Sequence, residues 1–286
     1  MKIERLASFS DGDVGGNPAG VMIAERLPGA VEMQTIAAEV GYSETAFAAP
    51  AASAWRVRYF SPESEVPFCG HATIALGGAL ASKFGSDVYS LHLNDTQITV
   101  EGFADNDSLS AALQSPPTRS NAALDEEIHA AFKLFGYSRH DLDPRIPPAR
   151  INAGAEHLVI ALRSREVLRT MHYSLDAGRV FMRTRGIVTV MLVAIESNQT
   201  FHCRNAFASG GVLEDPATGA AAAAFAGYLR DLDWPHEGSI KIVQGEDMGH
   251  RSVISAHFSE EIGSSIRVSG AIRNLADRTP FPMSRR

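Results

Sequence analysis

The amino-acid sequence predicts an α/β protein made of two similar, pseudo-symmetric domains. Three observations carry that prediction. Short segments that alternate or run apolar in the manner of strands are interleaved with apolar-faced helical stretches along the chain. A proline-rich break, Gln114-Ser115-Pro116-Pro117, lies near the centre. Each half also carries an Ala-rich helix opened by a glycine. Aligned on that glycine, Cys69-Gly70-His71-Ala72 matches Thr218-Gly219-Ala220-Ala221.

The strand candidates are residues 55–60, 91–100, 157–162, 186–194 and 240–243. Residues 31–40 follow a Pro-Gly break and place Met33, Ile36, Ala37 and Val40 on one helical face. Residues 72–84, rich in Ala, Leu and Ile, predict a second helix. Residues 125–135 predict a third, with acidic residues in the first turn and Lys133 late, as the helix dipole favours. Residues 217–232 predict a fourth. Asn17-Pro18-Ala19-Gly20 reads as a turn between an N-terminal strand and the next. With the boundary at the central prolines, the expected domains are 1–114 and 115–286, the last residues free to return to the first.

Composition bounds the function. Of 286 residues, 45% are hydrophobic and 21% charged, a globular mixture with nothing suggesting disorder. The formal charge is -7 with Lys and Arg interspersed, and the terminal Arg285-Arg286 is too short for a basic patch, so neither nucleic acid nor a membrane surface is expected as a partner. No apolar run approaches the ~20 residues of a membrane span, and charges occupy the start of the chain where a signal peptide is apolar. The expected location is the cytoplasm. Two distant cysteines, Cys69 and Cys203, read as reduced thiols. No His or Cys pair has a spacing suited to zinc. There is no Gly-x-Gly-x-x-Gly after a strand, no Walker loop and no Gly-x-Ser-x-Gly elbow, so hydride transfer, phosphoryl transfer and serine hydrolysis lack their parts.

Three clusters could carry chemistry. In Ser61-Pro62-Glu63-Ser64-Glu65-Val66-Pro67-Phe68-Cys69-Gly70-His71-Ala72-Thr73, a Pro-rich turn runs through glycine into an apolar helix whose free N–H groups form an anion site; His71 is either a substrate contact or a satisfied surface residue. In Glu214-Asp215-Pro216-Ala217-Thr218-Gly219, Asp215 is either a helix N-cap with proline in the first turn, or part of a ligand site with the amides of Thr218, Gly219 and Ala220. In Ser43-Glu44-Thr45-Ala46-Phe47, Glu44 is either an exposed turn residue or a carboxylate desolvated by the apolar segment that follows, and so suited to proton transfer. His157 reads as a strand-edge residue in preference to a ligand contact.

These clusters, in this order, resemble the PhzF family of phenazine-biosynthesis-like proteins. The matching pieces are Gly16-Asn17-Pro18-Ala19-Gly20-Val21, Ser43-Glu44-Thr45-Ala46-Phe47, Phe68-Cys69-Gly70-His71-Ala72-Thr73, Glu214-Asp215-Pro216-Ala217-Thr218-Gly219 and Gln244-Gly245-Glu246-Asp247-Met248-Gly249. The resemblance implies a diaminopimelate-epimerase-like fold, two domains each wrapping a mixed sheet around a central helix, with the active site in the cleft between them. It implies a cofactor-independent isomerase or epimerase that moves a proton on a small anionic, carboxylate-bearing substrate, with no metal and, by analogy, a homodimer. The proton carrier maps onto Glu44, its supports onto His71 and Asp215, and substrate contacts onto Cys69, Gly70, Ala72, Thr218, Gly219 and Ala220. The family's serine after Thr-Gly is Ala220 here, so a hydroxyl that would contact substrate or transition state is missing. The related two-thiol epimerases place cysteines at both helix starts; Cys69 occupies the first place and Thr218 the second, which argues against two-thiol racemisation, and Cys203 reads as structural. The rival expectations are a small-molecule binder of the same fold and a lyase using the same base.

Overall fold

Two units share the chain. The computed structural model describes residues 2–105 and 108–275. The first unit takes its described residues from 2–114 and 269–275, the second from 115–268. In both, an Ala-rich segment that is apolar on all sides becomes the helix the strands surround, since such a helix must be covered everywhere.

In the first unit, β1 (Glu4–Ser10) and β2 (Asn17–Ile23) are antiparallel, and α1 (Ala30–Val40) crosses to β3 (Thr45–Ala51), which lies parallel to β2. β4 (Ala54–Phe60) is antiparallel to β3 and to the short β5 (Glu65–Val66). Then α2 (Gly70–Phe84) leads to β6 (Asp87–His92), parallel to β4, and on through β7 (Gln97–Ala104) and β8 (Leu109–Gln114), each antiparallel to its predecessor. Every residue from His71 to Ala81 of α2 is buried. The helix packs against β1, β2, β3, β6, β7 and β8. On the sheet's other face, Met33 and Ala37 of α1 join Met22, Phe47 and Phe60 in a small second core.

The second unit runs β9 (Arg119–Ala122), α3 (Asp125–Phe135), β10 (Ala149–Asn152) and β11 (Glu156–Leu162), then α4 (Arg165–Arg169), α5 (Leu175–Thr184), β12 (Thr189–Ile195) and β13 (Thr200–Ala206). The short β14 (Glu214–Asp215) precedes α6 (Gly219–Asp231), β15 (Ser239–Gln244) and β16 (Ser252–His257). The sheet is mixed: β11–β12 and β13–β15 are parallel, the other pairs antiparallel. α6, buried from Ala221 to Arg230, packs on β9, β10, β11 and β16. Phe132 and Phe135 of α3 and Phe181 and Met182 of α5 form the larger core with Leu158, Ile160, Val190 and Leu192.

Several sequence expectations are corrected. Asn17-Pro18-Ala19-Gly20 is strand, not turn: Pro18 pairs with Ala7, and the chain reverses earlier, where Asp11 and Val14 exchange backbone hydrogen bonds of 3.0 and 3.3 Å. Proline is tolerated because β3 first pairs with β2 at Gly20, so the missing N–H of Pro18 lies beyond that ladder. Residues 91–100 are not one strand but the two arms of the β6–β7 hairpin, turned where Leu93 N–H meets Thr96 O at 2.9 Å. Residues 186–188 belong to the turn after α5, not to β12. Asp215 is not the N-cap of α6; Thr218 occupies that position, and Asp215 pairs with Asn205 in β14. α5 has no counterpart among the expected helices; Ser174 caps it by accepting the Ala177 N–H. Arg285-Arg286, with the rest of 276–286, lies outside the described residues.

Candidate functional site

The first unit gathers Glu44, Cys69 and His71 at the start of α2. The helix begins at Gly70 behind Cys69, and the first amide closing a helical bond is that of Thr73, 3.0 Å from Cys69 O. The amides of Gly70, His71 and Ala72 therefore precede the helical ladder and are available to an anion. Thr73 secures the turn by donating its hydroxyl to Cys69 O at 2.7 Å, with Tyr59 Oη 2.7 Å from the same Oγ1. Ser8 of β1 donates to His71 O at 2.6 Å. A side chain added at Gly70 would meet open space.

Glu44 sits one residue ahead of β3, its carbonyl accepting the Gly20 N–H at 3.2 Å. Gly20 is needed there: a Cβ would stand 2.7 Å from Thr45 Oγ1 and 2.9 Å from its Cγ2. Glu44 Oε2 lies 3.4 Å from His71 Nε2, and Ser43 Oγ lies 3.3 Å from the same nitrogen. On its other side His71 presents Nδ1 to Cys69 Sγ at 3.3 Å. The imidazole thus stands between a carboxylate and a thiol. The Glu44 side chain keeps 19% of its exposure and that of His71 9%, so the carboxylate is half-buried and the ring more deeply held. Because one imidazole nitrogen can donate while the other accepts, this arrangement can hold a proton at any of three groups and pass it between them.

The second unit holds its own group at the start of α6. Thr218 donates its hydroxyl to the Asp215 carboxylate. Gln244, fully buried at the end of β15, donates to Asp215 O at 2.7 Å and to Thr218 Oγ1 at 3.0 Å, and accepts the Thr218 N–H at 3.3 Å. The next bonded amide, that of Ala222, reaches Thr218 O at 3.0 Å, leaving Gly219 and Ala220 N–H groups ahead of the ladder. Gly219 and Ala220 are half-buried. Gly245 has φ +73°, and a Cβ on it would lie 2.4 Å from His250 O and 2.7 Å from Pro216 O; only glycine lets this loop lie against the Asp215-Pro216 segment. Arg204 forks onto Glu214, and Arg165 reaches Asp247 at 2.6 Å and Glu246 at 3.0 Å, tying the same loop down.

Two other candidates lie apart from these groups. His157 is sealed inside the second unit, with Nδ1 2.7 Å from Thr189 Oγ1, so it is neither an exposed edge residue nor open to a ligand. Cys203 is buried in β13, and burial pushes its thiol well above the ordinary range, which suits a structural residue. Ser8, and the individual roles of Ser43 and Gln244, emerge only from the structure. Ser43 and Gln244 stand inside the quoted motifs; nothing local marks Ser8.

Known proteins resemble this chain in sequence and in structure. A family model for phenazine biosynthesis-like protein (PhzC-PhzF) matches residues 6–273. An uncharacterized isomerase of Mesorhizobium japonicum is 28% identical, covering 96% of each chain. Among solved structures, a Bacillus anthracis PhzF-family phenazine biosynthesis protein matches at TM-score 0.83 with 20% identity, covering 96% of this chain and 98% of its own. A predicted epimerase of Pseudomonas aeruginosa matches at 0.82 with 23% identity, covering 96% of each. The fold is accordingly diaminopimelate-epimerase-like. Among the described residues, no helix is long and apolar enough to cross a membrane.

Proposed function

Since the chain belongs to the PhzC-PhzF phenazine biosynthesis-like family, whose curated relatives are named isomerases, we propose that it is an isomerase or epimerase moving a proton on a small carboxylate-bearing substrate, with Glu44 as the proton carrier and without a coenzyme. The observation that carries this reading is the 3.4 Å approach of Glu44 Oε2 to His71 Nε2 beside the free amides opening α2. Glu44 takes the proton from a carbon next to a carbonyl, carboxylate or unsaturated system, and the C–H electron pair delocalises into that system. The proton then returns from Glu44 to another carbon or to the other face. His71 orients the Glu44 carboxyl, and helix-start amides stabilise the developing negative charge, where preorganised donors contribute most. Asp215 is assigned to hold Thr218 at the opening of α6, with the amides of Gly219 and Ala220 as anion donors.

The test is deuterium uptake. Candidate carboxylates incubated with the protein in deuterated water are expected to gain deuterium at carbon, and Glu44→Gln to lower that rate by roughly 100-fold or more, the scale of a general base, with binding retained. Uptake equal in both proteins would remove Glu44 from the role. Net loss of a leaving group from the substrate would assign a lyase, and ligand binding with no exchange a binder.

A further inference from the structure

Glu44, Cys69 and His71 bring one donor atom each to within 4.8 Å of one another. Sequence spacing hides the set, because a Cys-x-His pair is joined by a glutamate from a different element. Oxygen, nitrogen and sulfur converge: Glu44 Oε2 to His71 Nε2 is 3.4 Å, and Cys69 Sγ lies 3.3 Å from Nδ1 and 3.9 Å from Nε2. Ligands at ordinary zinc bond lengths around a tetrahedral ion stand about 3.4–3.6 Å apart. One ion takes one ring nitrogen: at Nε2 the Glu44 separation already fits, while Cys69 Sγ, within 4 Å of both ring nitrogens and so lying over the ring face, must turn about its side-chain bond to reach the ion. Cys69 and His71 are nearly buried, and their backbones are fixed by Thr73 and Ser8, so the two residues are held on one helix start, and closing on an ion takes rotation of the Cys69 side chain and of the half-buried Glu44.

We propose that these three side chains form a binding site for a thiophilic divalent cation of the Zn2+ class, as an inhibitor and not as a resident cofactor. Thiolate and imidazole favour zinc over magnesium or calcium, which take oxygen sets. Binding breaks the Cys69 S–H bond, forms a sulfur–metal bond and releases the proton to solvent. Three protein ligands leave a fourth position for water. The inhibitory consequence rests on the reading of Glu44 as proton carrier, because an ion held there occupies its lone pairs; the binding itself does not depend on that reading.

Titration of chelator-stripped protein with Co2+ in the absence of substrate tests the site. The expected result is a near-ultraviolet thiolate-to-cobalt band that one equivalent of Zn2+ abolishes. The band is expected to be lost in Cys69→Ala and kept in Cys203→Ala, and His71→Gln is expected to weaken Zn2+ binding at least about tenfold, as loss of a ligand requires. Thermal melts verify that the variants are folded. Alkylation of Cys69 by iodoacetamide in the unaltered protein supplies a measurement free of substitutions, expected to slow with Zn2+ and not with Mg2+. A wild-type protein without the band, a band that survives Cys69→Ala, or alkylation indifferent to Zn2+ would each overturn the proposal. Zn2+ binding without inhibition of deuterium uptake would keep the site and count against Glu44 as carrier.

Discussion

His157 occupies the second position of β11, opposite Thr189 in the parallel pair with β12. Its Nδ1 meets the Thr189 hydroxyl, while its Nε2 is buried without a partner. Burial lowers its pKa to about 4. In the unfolded chain a histidine protonates near pH 6.5, so between about 6.5 and 4 the unfolded state binds more protons than the folded one. Stability therefore falls as the pH drops through that window and levels off below it, a loss of about 3 kcal/mol. Urea denaturation at stepped pH should show this limb in the wild type and a shallower one in His157→Gln; equal limbs would place the acid sensitivity elsewhere. At the first unit's site, Cys69→Ser should slow turnover far less than Glu44→Gln, since the carboxylate and not the thiol is the proposed proton carrier. Cys69→Ser abolishing turnover while Glu44→Gln spares it would transfer the proton to the thiol. The approach of Glu44 to His71 was not legible as a spacing, because a strand start and a helix start meet only through tertiary packing. The family resemblance named both residues without supplying their geometry.

At the scale of elements, α2 and α6 were legible because segments apolar on every face have one place to go, the middle of a sheet's coverage. The β6–β7 hairpin is hidden in the sequence: Asn94 and Asp95 are turn residues, but the apolar positions on either side mask the break between arms. α5 escaped notice because its polar face is wide and a glycine, Gly178, interrupts it. Gly245 gives the sharpest test at this scale. Its positive φ and the carbonyls at 2.4 and 2.7 Å mean Gly245→Ala must displace the loop from Pro216. We expect a destabilisation of about 1–3 kcal/mol together with loosening of the Gln244 bonds to Asp215 and Thr218. Chemical denaturation measures the first and amide exchange at Thr218 the second. Unchanged exchange with full stability would show that the loop tolerates a side chain.

At the scale of the whole molecule, the first unit is assembled from both ends of the described chain, while the second is continuous. The strand that makes this so is β17 (Arg267–Asn274), which pairs with β1 from Leu6↔Asn274 to Ser10↔Ala271. Its Ile272 packs on α2 so closely that a Cβ at Gly78 would lie 2.4 Å from Cδ1. Truncation after Val268 should therefore expose the amides of β1 and α2 to rapid hydrogen exchange while leaving β11, β12 and β13 protected, with truncation after Leu275 as the control. Equal protection in both would mean that β1 and α2 are held without β17. The same strand orders events during synthesis. A ribosome releases residues 115–268 before 269–274, so the continuous unit can fold on a nascent chain whose earlier-made partner still lacks a strand, with β1 presenting an open edge until residues 269–274 emerge.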